Sequence, residues 1–193
     1  VQAGNIEVRT DYDYRSTQND IVLNGLLGAS LQWGDHEVKW TNFYVHSTTK
    51  EARSRVGYDD LAGANVRDDY TEWFVRQLIS TQVTGEHDLM DGALGIDWRA
   101  AYSNTTRDAP YESRFQYGVN GAGDFIHNPS NQISFSELDE DLVSGGVDVN
   151  YTLPLSDYRE AVFSAGVDYM DSTRDATRRD LQLAAVTSLT TEQ

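Results

Sequence analysis

From Ile21 to Trp33 the odd positions read Ile21, Leu23, Gly25, Leu27, Ala29, Leu31 and Trp33; the even ones read Val22, Asn24, Leu26, Gly28, Ser30 and Gln32. A period of two sends successive side chains to opposite sides of an extended chain, so this stretch predicts a strand with one apolar and one wetter face. Three later stretches repeat the pattern. Leu94, Ile96, Trp98, Ala100 and Tyr102 oppose Gly95, Asp97, Arg99, Ala101 and Ser103. Val143, Gly145, Val147, Val149, Tyr151 and Leu153 oppose Ser144, Gly146, Asp148, Asn150 and Thr152. Ala161, Phe163, Ala165, Val167 and Tyr169 oppose Ser164, Gly166, Asp168 and Met170. Asp97, Arg99, Asp148, Asn150 and Asp168 are too polar to line a soluble core. The expected fold is therefore all-β, an antiparallel transmembrane β-barrel wall with lipid on one side and water on the other.

Composition agrees with that reading without deciding it. The chain has 193 residues, 39% of them hydrophobic, and its mean hydropathy is -0.56. No apolar run approaches the roughly 20 residues of a membrane helix, whereas a barrel strand needs apolar residues only at alternate positions. A formal net charge of -16 argues against a nucleic-acid partner, because phosphate binding needs clustered Lys and Arg. The absence of cysteine excludes disulfides, a thiol nucleophile and thiolate metal sites. Val1-Gln2-Ala3-Gly4 carries neither the basic nor the apolar region of a signal peptide.

Six strands are expected near Thr17–Trp33, Glu37–Ala52, Asp69–His87, Ala93–Arg107, Leu142–Leu153 and Glu160–Arg174, with the tail from Asp175 extending beyond the membrane. The connections Gly34-Asp35-His36, Asp88–Gly92 and Pro154–Arg159 are short; Arg53–Asp68 and Asp108–Asp141 are long and rich in Gly, Asn, Asp and Ser. Such alternation is that of outer-membrane barrels, with short periplasmic turns and long extracellular loops. On the third strand Trp73, Val75, Ile79 and Val83 share a face with Gln77 and Thr81. The second strand leaves two phases open: Val38, Trp40 and Tyr44 favour one, Phe43 and Val45 the other. Trp33, Trp40 and Tyr151 flank short turns, while Tyr102 and Tyr169 lie near the depth at which a tilted strand of about 9–11 residues leaves the bilayer. They are expected to form two interfacial aromatic girdles.

Several segments resemble the barrel of TonB-dependent outer-membrane receptors. They are Asn19–Leu27, Trp33–Asn42, Trp73–Leu78, Thr84–His87 and Glu137–Asp148, and the similarity of strand-and-turn texture runs from about Thr10 to Ala185. The resemblance implies an active importer without catalysis of its own. It would bind a scarce nutrient such as an iron chelate, cobalamin or a sugar, carry a plug inside the barrel, and draw energy from the TonB complex. Its implied partners are outer-membrane lipid and lipopolysaccharide, the plug and remaining barrel strands, the TonB complex and a small-molecule ligand. No plug and no TonB box is legible, and Thr191-Glu192-Gln193 lacks the terminal aromatic usual in such barrels. The smallest closed membrane barrels need about eight strands and plugged transporters about 22. Residues 1–193 are accordingly expected to be an internal part of one barrel domain.

No catalytic, cofactor or metal site is predicted. Glu137, Asp139, Glu140 and Asp141 lack the spacing and turn glycine of an EF-hand, and read as a solvated acidic strand end, as do Asp59-Asp60. His36 and His87 fall in short turns, and His46 and His127 near the extracellular side, without HxxxH or HExxH spacing. There is no Gly-x-Ser-x-Gly elbow, and Gly118–Gly123 has no Lys-Ser or Lys-Thr after it. Arg76, Asp97, Arg99, Asp148 and Asp168 are expected to face the lumen, paired across strands or touching plug and solute. Tyr111, Phe115, Phe125 and Phe135 are candidate ligand contacts in the long loops. Two other readings stay open: part of a passive porin-like channel, and a soluble acidic β-sandwich acting as a binding module.

Overall fold

The computed structural model describes residues 9–129, 131–156 and 158–183. Among them there is no helix. The strands are β1 Thr10–Trp33, β2 His36–Asp59, β3 Ala64–Leu89, β4 Leu94–Val119, the short β5 Phe125–His127, β6 Gln132–Ser156 and β7 Arg159–Gln182. They form one antiparallel sheet in the order β1-β2-β3-β4-β6-β7, with β5 beside the end of β4. The six long strands make an open meander, and β1 and β7 each pair on one side only among the described residues. It is a single layer, not two stacked sheets. Val1–Gly4 and Thr191–Gln193 lie outside the described residues.

The strands are much longer than the alternation predicts. They run from 24 residues in β1 to 26 in β3, roughly 80 Å at about 3.3 Å per residue. The expected loop at Arg53–Asp68 is instead the paired ends of β2 and β3, joined by a turn at 60–63. Most of Asp108–Asp141 likewise belongs to β4, β5 and β6. Pro110 does not stop β4, because it sits in a bulge. Register slips between Trp73 and Val75 on one side and between Ala109 and Glu112 on the other, where a residue without an N–H is tolerated. Beyond β4, Asn120 Oδ1 accepts the backbone N–H groups of Ala122 and Asp124, both at 2.9 Å, and turns the chain.

Register joins the alternating stretches on one face. Ala29 pairs with Trp40, Trp40 with Val83, Val83 with Ala100, Ala100 with Gly145 and Gly145 with Tyr169. Directly paired residues share a face, so the ambiguous β2 is resolved. Val38, Trp40 and Tyr44 join the apolar face; Phe43 and Val45 take the other.

The apolar residues of that face form a band beside the short turns, and the band is slanted. Its edge away from the turns begins at Ile21 on β1, Tyr44 on β2, Tyr102 on β4 and Tyr169 on β7, with Asn19, His46, Asn104 and Asp171 next beyond. Tyr169 shares its row with Ala29, eight residues along β1 from Ile21, after five strand-to-strand steps. Among the described residues nothing packs on this band. Leu31 is 65% exposed, Val167 64% and Val143 50%, and the only buried hydrophobic residues described are Val66 and Ala109.

Candidate functional site

The face opposite the band is mostly polar, although Val22, Leu26, Phe43 and Val45 stand on it, and its charges are ordered in tiers. Nearest the short turns, Lys39 Nζ lies 3.0 Å from Glu37 and 3.4 Å from Glu86. In the same row, two strands over, Arg99 bridges Asp148 at 2.6 Å and Asp168. Glycine makes room for this triad. A Cβ on Gly146 would strike Asp168 and come within 2.9 Å of the Arg99 guanidinium, and one on Gly166 would strike Asp148. Farther out, Arg76 and Arg107 pair directly and both stack on Phe74, at 5.3 and 4.8 Å. Glu51, Glu72 and Glu112 then share one row. The row after it holds Arg53, Tyr70 and Arg114.

Like charges placed directly opposite destabilise a sheet, so the acidic and basic rows must offset one another. Contacts between them are long: Arg53 lies 3.9 Å from Glu51, and Arg178 3.9 Å from Glu112. Tyr70 is the hub of the outer tier. The guanidinium of Arg53 sits 4.0 Å from its ring centre and that of Arg114 5.7 Å. Its hydroxyl donates to Glu72 at 2.5 Å. Desolvation first, then this bond and the nearby Glu112 charge, push the Tyr70 phenol up to about 12. Beyond Tyr70, Arg55 pairs with Asp68 at 2.6 Å and stacks 4.5 Å from Tyr12. A cleft of about 440 Å³ opens here, lined among others by Tyr14, Arg53, Arg55, Tyr70, Arg114 and Asn131.

Arg76, Asp97, Arg99, Asp148 and Asp168 all stand on this polar face, and three of them meet in the triad. The four aromatic candidates do not. Tyr111 and Phe115 belong to β4, Phe125 to β5 and Phe135 to β6, so none is in a loop. Their register puts them on the face of the apolar band: Tyr111 pairs with Trp73, Phe115 with Asp69, Phe125 with Val119 and Phe135 with Arg179. Phe125 packs edge-on to Tyr117 at 6.4 Å. Dense Gly, Asn, Asp and Ser suggested a loop there, but such residues also populate a ladder.

The acidic run Glu137–Asp141 is split by the pleat. Glu137, Asp139 and Asp141 share the face of the band, while Glu140 on the other face binds Arg174 at 2.5 Å. His36 and His87 are neighbours on paired strands rather than separate turn residues. Trp98 Nε1 donates to His87 Nε2 at 2.9 Å, leaving His87 Nδ1 to donate to His36 Nδ1 at 3.2 Å. Trp33 stands 5.6 Å from His36, completing an aromatic cluster at the turn end of the band. His46 contacts the Thr48 hydroxyl at 3.3 Å; the side chain of His127 lies outside the described residues. The charged tiers escaped sequence reading because they exist only after five strands are aligned.

No protein-family model and no curated protein matches the chain. What it does must be argued from its geometry.

Proposed function

We propose that this chain is part of the wall of a bacterial outer-membrane β-barrel, in a TonB-dependent receptor that binds and imports a scarce small solute. The carrying observation is the slanted apolar band on a sheet that lacks a core. Ordering a residue costs about 1–2 kcal/mol of backbone entropy, which apolar burial normally offsets. With Val66 and Ala109 as the only buried hydrophobic residues described, the sheet needs an apolar surrounding to supply that term.

The slant supports a bilayer in particular. Eight residues over five steps, at about 3.3 Å per residue and about 4.8 Å between strands, correspond to a tilt of roughly 45–50°. Membrane β-strands cross at about 45°. At that tilt, stretches such as Leu94–Tyr102 and Ile21–Trp33 span roughly 20–29 Å, bracketing the apolar band of about 25 Å found on such barrels. The polar face then lines the lumen, the short turns are periplasmic, and the long strand ends rise above the outer leaflet. Further strands close the ring against β1 and β7. The receptor assignment rests on the resemblance of Asn19–Leu27, Trp33–Asn42 and Glu137–Asp148 to that family, and on strands far longer than a crossing requires.

These 193 residues contain no cysteine, so labelling within them reports only on introduced thiols. Single cysteines at Leu27, Ala100 and Val147, and at Ser30, Ala101 and Ser144, are introduced into the full-length protein in bacterial outer membranes and treated with a membrane-impermeant maleimide. The first three should stay unlabelled and the second three react. Equal labelling of both sets would reject the membrane wall. Solute uptake that persists unchanged in a strain without TonB would reject the receptor and leave a passive channel.

A further inference from the structure

Cations gather without matching anions at two places on the polar face, at Arg76 and Arg107 over Phe74 and at the cleft over Tyr70, and only the second opens into a cleft with a buried amide on its wall. Arg114 makes no ion pair among the described residues, and Arg53 has only Glu51, at 3.9 Å. The cleft's own carboxylates are spoken for: Asp68 by Arg55 at 2.6 Å and Asp69 by Arg67 at 2.9 Å. A second observation is independent of charge. Asn131 is 1% exposed and lines the cleft. Its Oδ1 accepts the backbone N–H of Gln116 at 2.6 Å, but its Nδ2 has no hydrogen-bond partner. An unmade buried donor costs about 1–3 kcal/mol, a cost that an acceptor bound in the cleft would remove once the Asn131 amide turned toward it. The row of Glu51, Glu72 and Glu112 lies one tier nearer the short turns and would repel an anion moving past the cleft. A volume of about 440 Å³ is within the usual range for small-molecule sites.

From this arrangement we infer that the cleft is a binding site for a small solute with two anionic groups, carboxylate or phosphate, held by Arg53 and Arg114 and hydrogen-bonded by Asn131. The stacked, planar guanidiniums on either side of Tyr70 suit bidentate recognition of such groups. The inference rests on the reading of the polar face as the solute-facing one.

The test is calorimetric titration of the full-length protein in detergent micelles with succinate, with inorganic pyrophosphate, and with sucrose as a neutral control. At least one anion should bind saturably, and which one does distinguishes carboxylate from phosphate recognition. R114Q and R53Q should each weaken it about tenfold or more, and N131A severalfold. R107Q carries the same charge change on the Phe74 tier and should leave binding within twofold. The site is overturned if neither anion binds more tightly than sucrose, or if R107Q weakens binding as much as R114Q does. It is also overturned if R114Q and R53Q, melting like the parent, bind unchanged. Micelle binding does not depend on where the protein resides. Loss of anion binding with face-selective maleimide labelling intact would reject the site alone; two-faced labelling with binding intact would reject the membrane wall alone.

Discussion

Gly146 and Gly166 show how the smallest residue sets a charged contact. Both lie where a Cβ would displace one of the aspartates in the Arg99 triad, so the alternation there is written in glycine and aspartate rather than in apolar and polar types. Gly85 acts similarly on the other face: a Cβ would strike the Trp98 indole, which lies over it and donates to His87. These close approaches are not legible in the sequence, because each depends on a residue from a neighbouring strand. The residue whose chemistry is most altered is Tyr70. Its phenol is held protonated to about 12, above the ordinary value near 10. The folded protein therefore keeps a proton that the unfolded chain has lost between those values, and stability falls as pH rises through that window. Thermal melts between pH 9 and 12 should show a steeper decline for the parent than for Tyr70→Phe. Parallel declines would mean that burial and the Glu72 bond do not act on this phenol.

At the scale of the strand, Ile21–Trp33, Leu94–Ser103, Val143–Leu153 and Ala161–Met170 lie in or beside the apolar band, and their alternation was legible. Arg53–Asp59 and Asp108–Val119 continue the same ladders outside it. Tyr111, Phe115, Tyr117 and Val119 still alternate there with Glu112, Arg114, Gln116 and Gly118, but neighbouring Gly, Asn, Asp and Ser made these strand ends read as loops. Pro110 deepened the error, since a proline within a strand signals a break unless a bulge absorbs it. That bulge also switches parity: even residues of β4 hold the apolar face up to Asp108, and odd ones from Tyr111 onward. Deleting Pro110 removes the one surplus residue of the bulge, so the ladder beyond it should keep its register on both sides. Cysteines at Trp73 and Tyr111, which pair directly, should therefore cross-link as readily in the deletion as in the intact strand. Loss of cross-linking in the deletion would show that the bulge itself holds the register.

Taken whole, the molecule is a single sheet with two unlike faces, and on the proposed membrane reading its stability should depend on which face is altered. Val147 lies in the band and Ser144 on the opposite face of the same strand. Val147→Arg should destabilise the bilayer-embedded protein by about 2–4 kcal/mol, the cost of a lipid-facing Arg near the midplane. Ser144→Arg should cost far less. Urea unfolding from lipid vesicles measures both, and equal losses would contradict the assignment of sides. Sequence reading reached this level because sidedness is local to each strand, whereas the charged tiers and the cleft needed all the strands in register. The slope of the band carries one more consequence. It is a screw pitch, and successive turns of a screw must match. Any strand that docks beside β7 must start its greasy stretch one or two residues nearer the short turns than the row of Tyr169, and any strand beside β1 must start it correspondingly farther from them than Ile21. The chain thereby sets the thread that any neighbouring strand has to follow while leaving the number of such strands free.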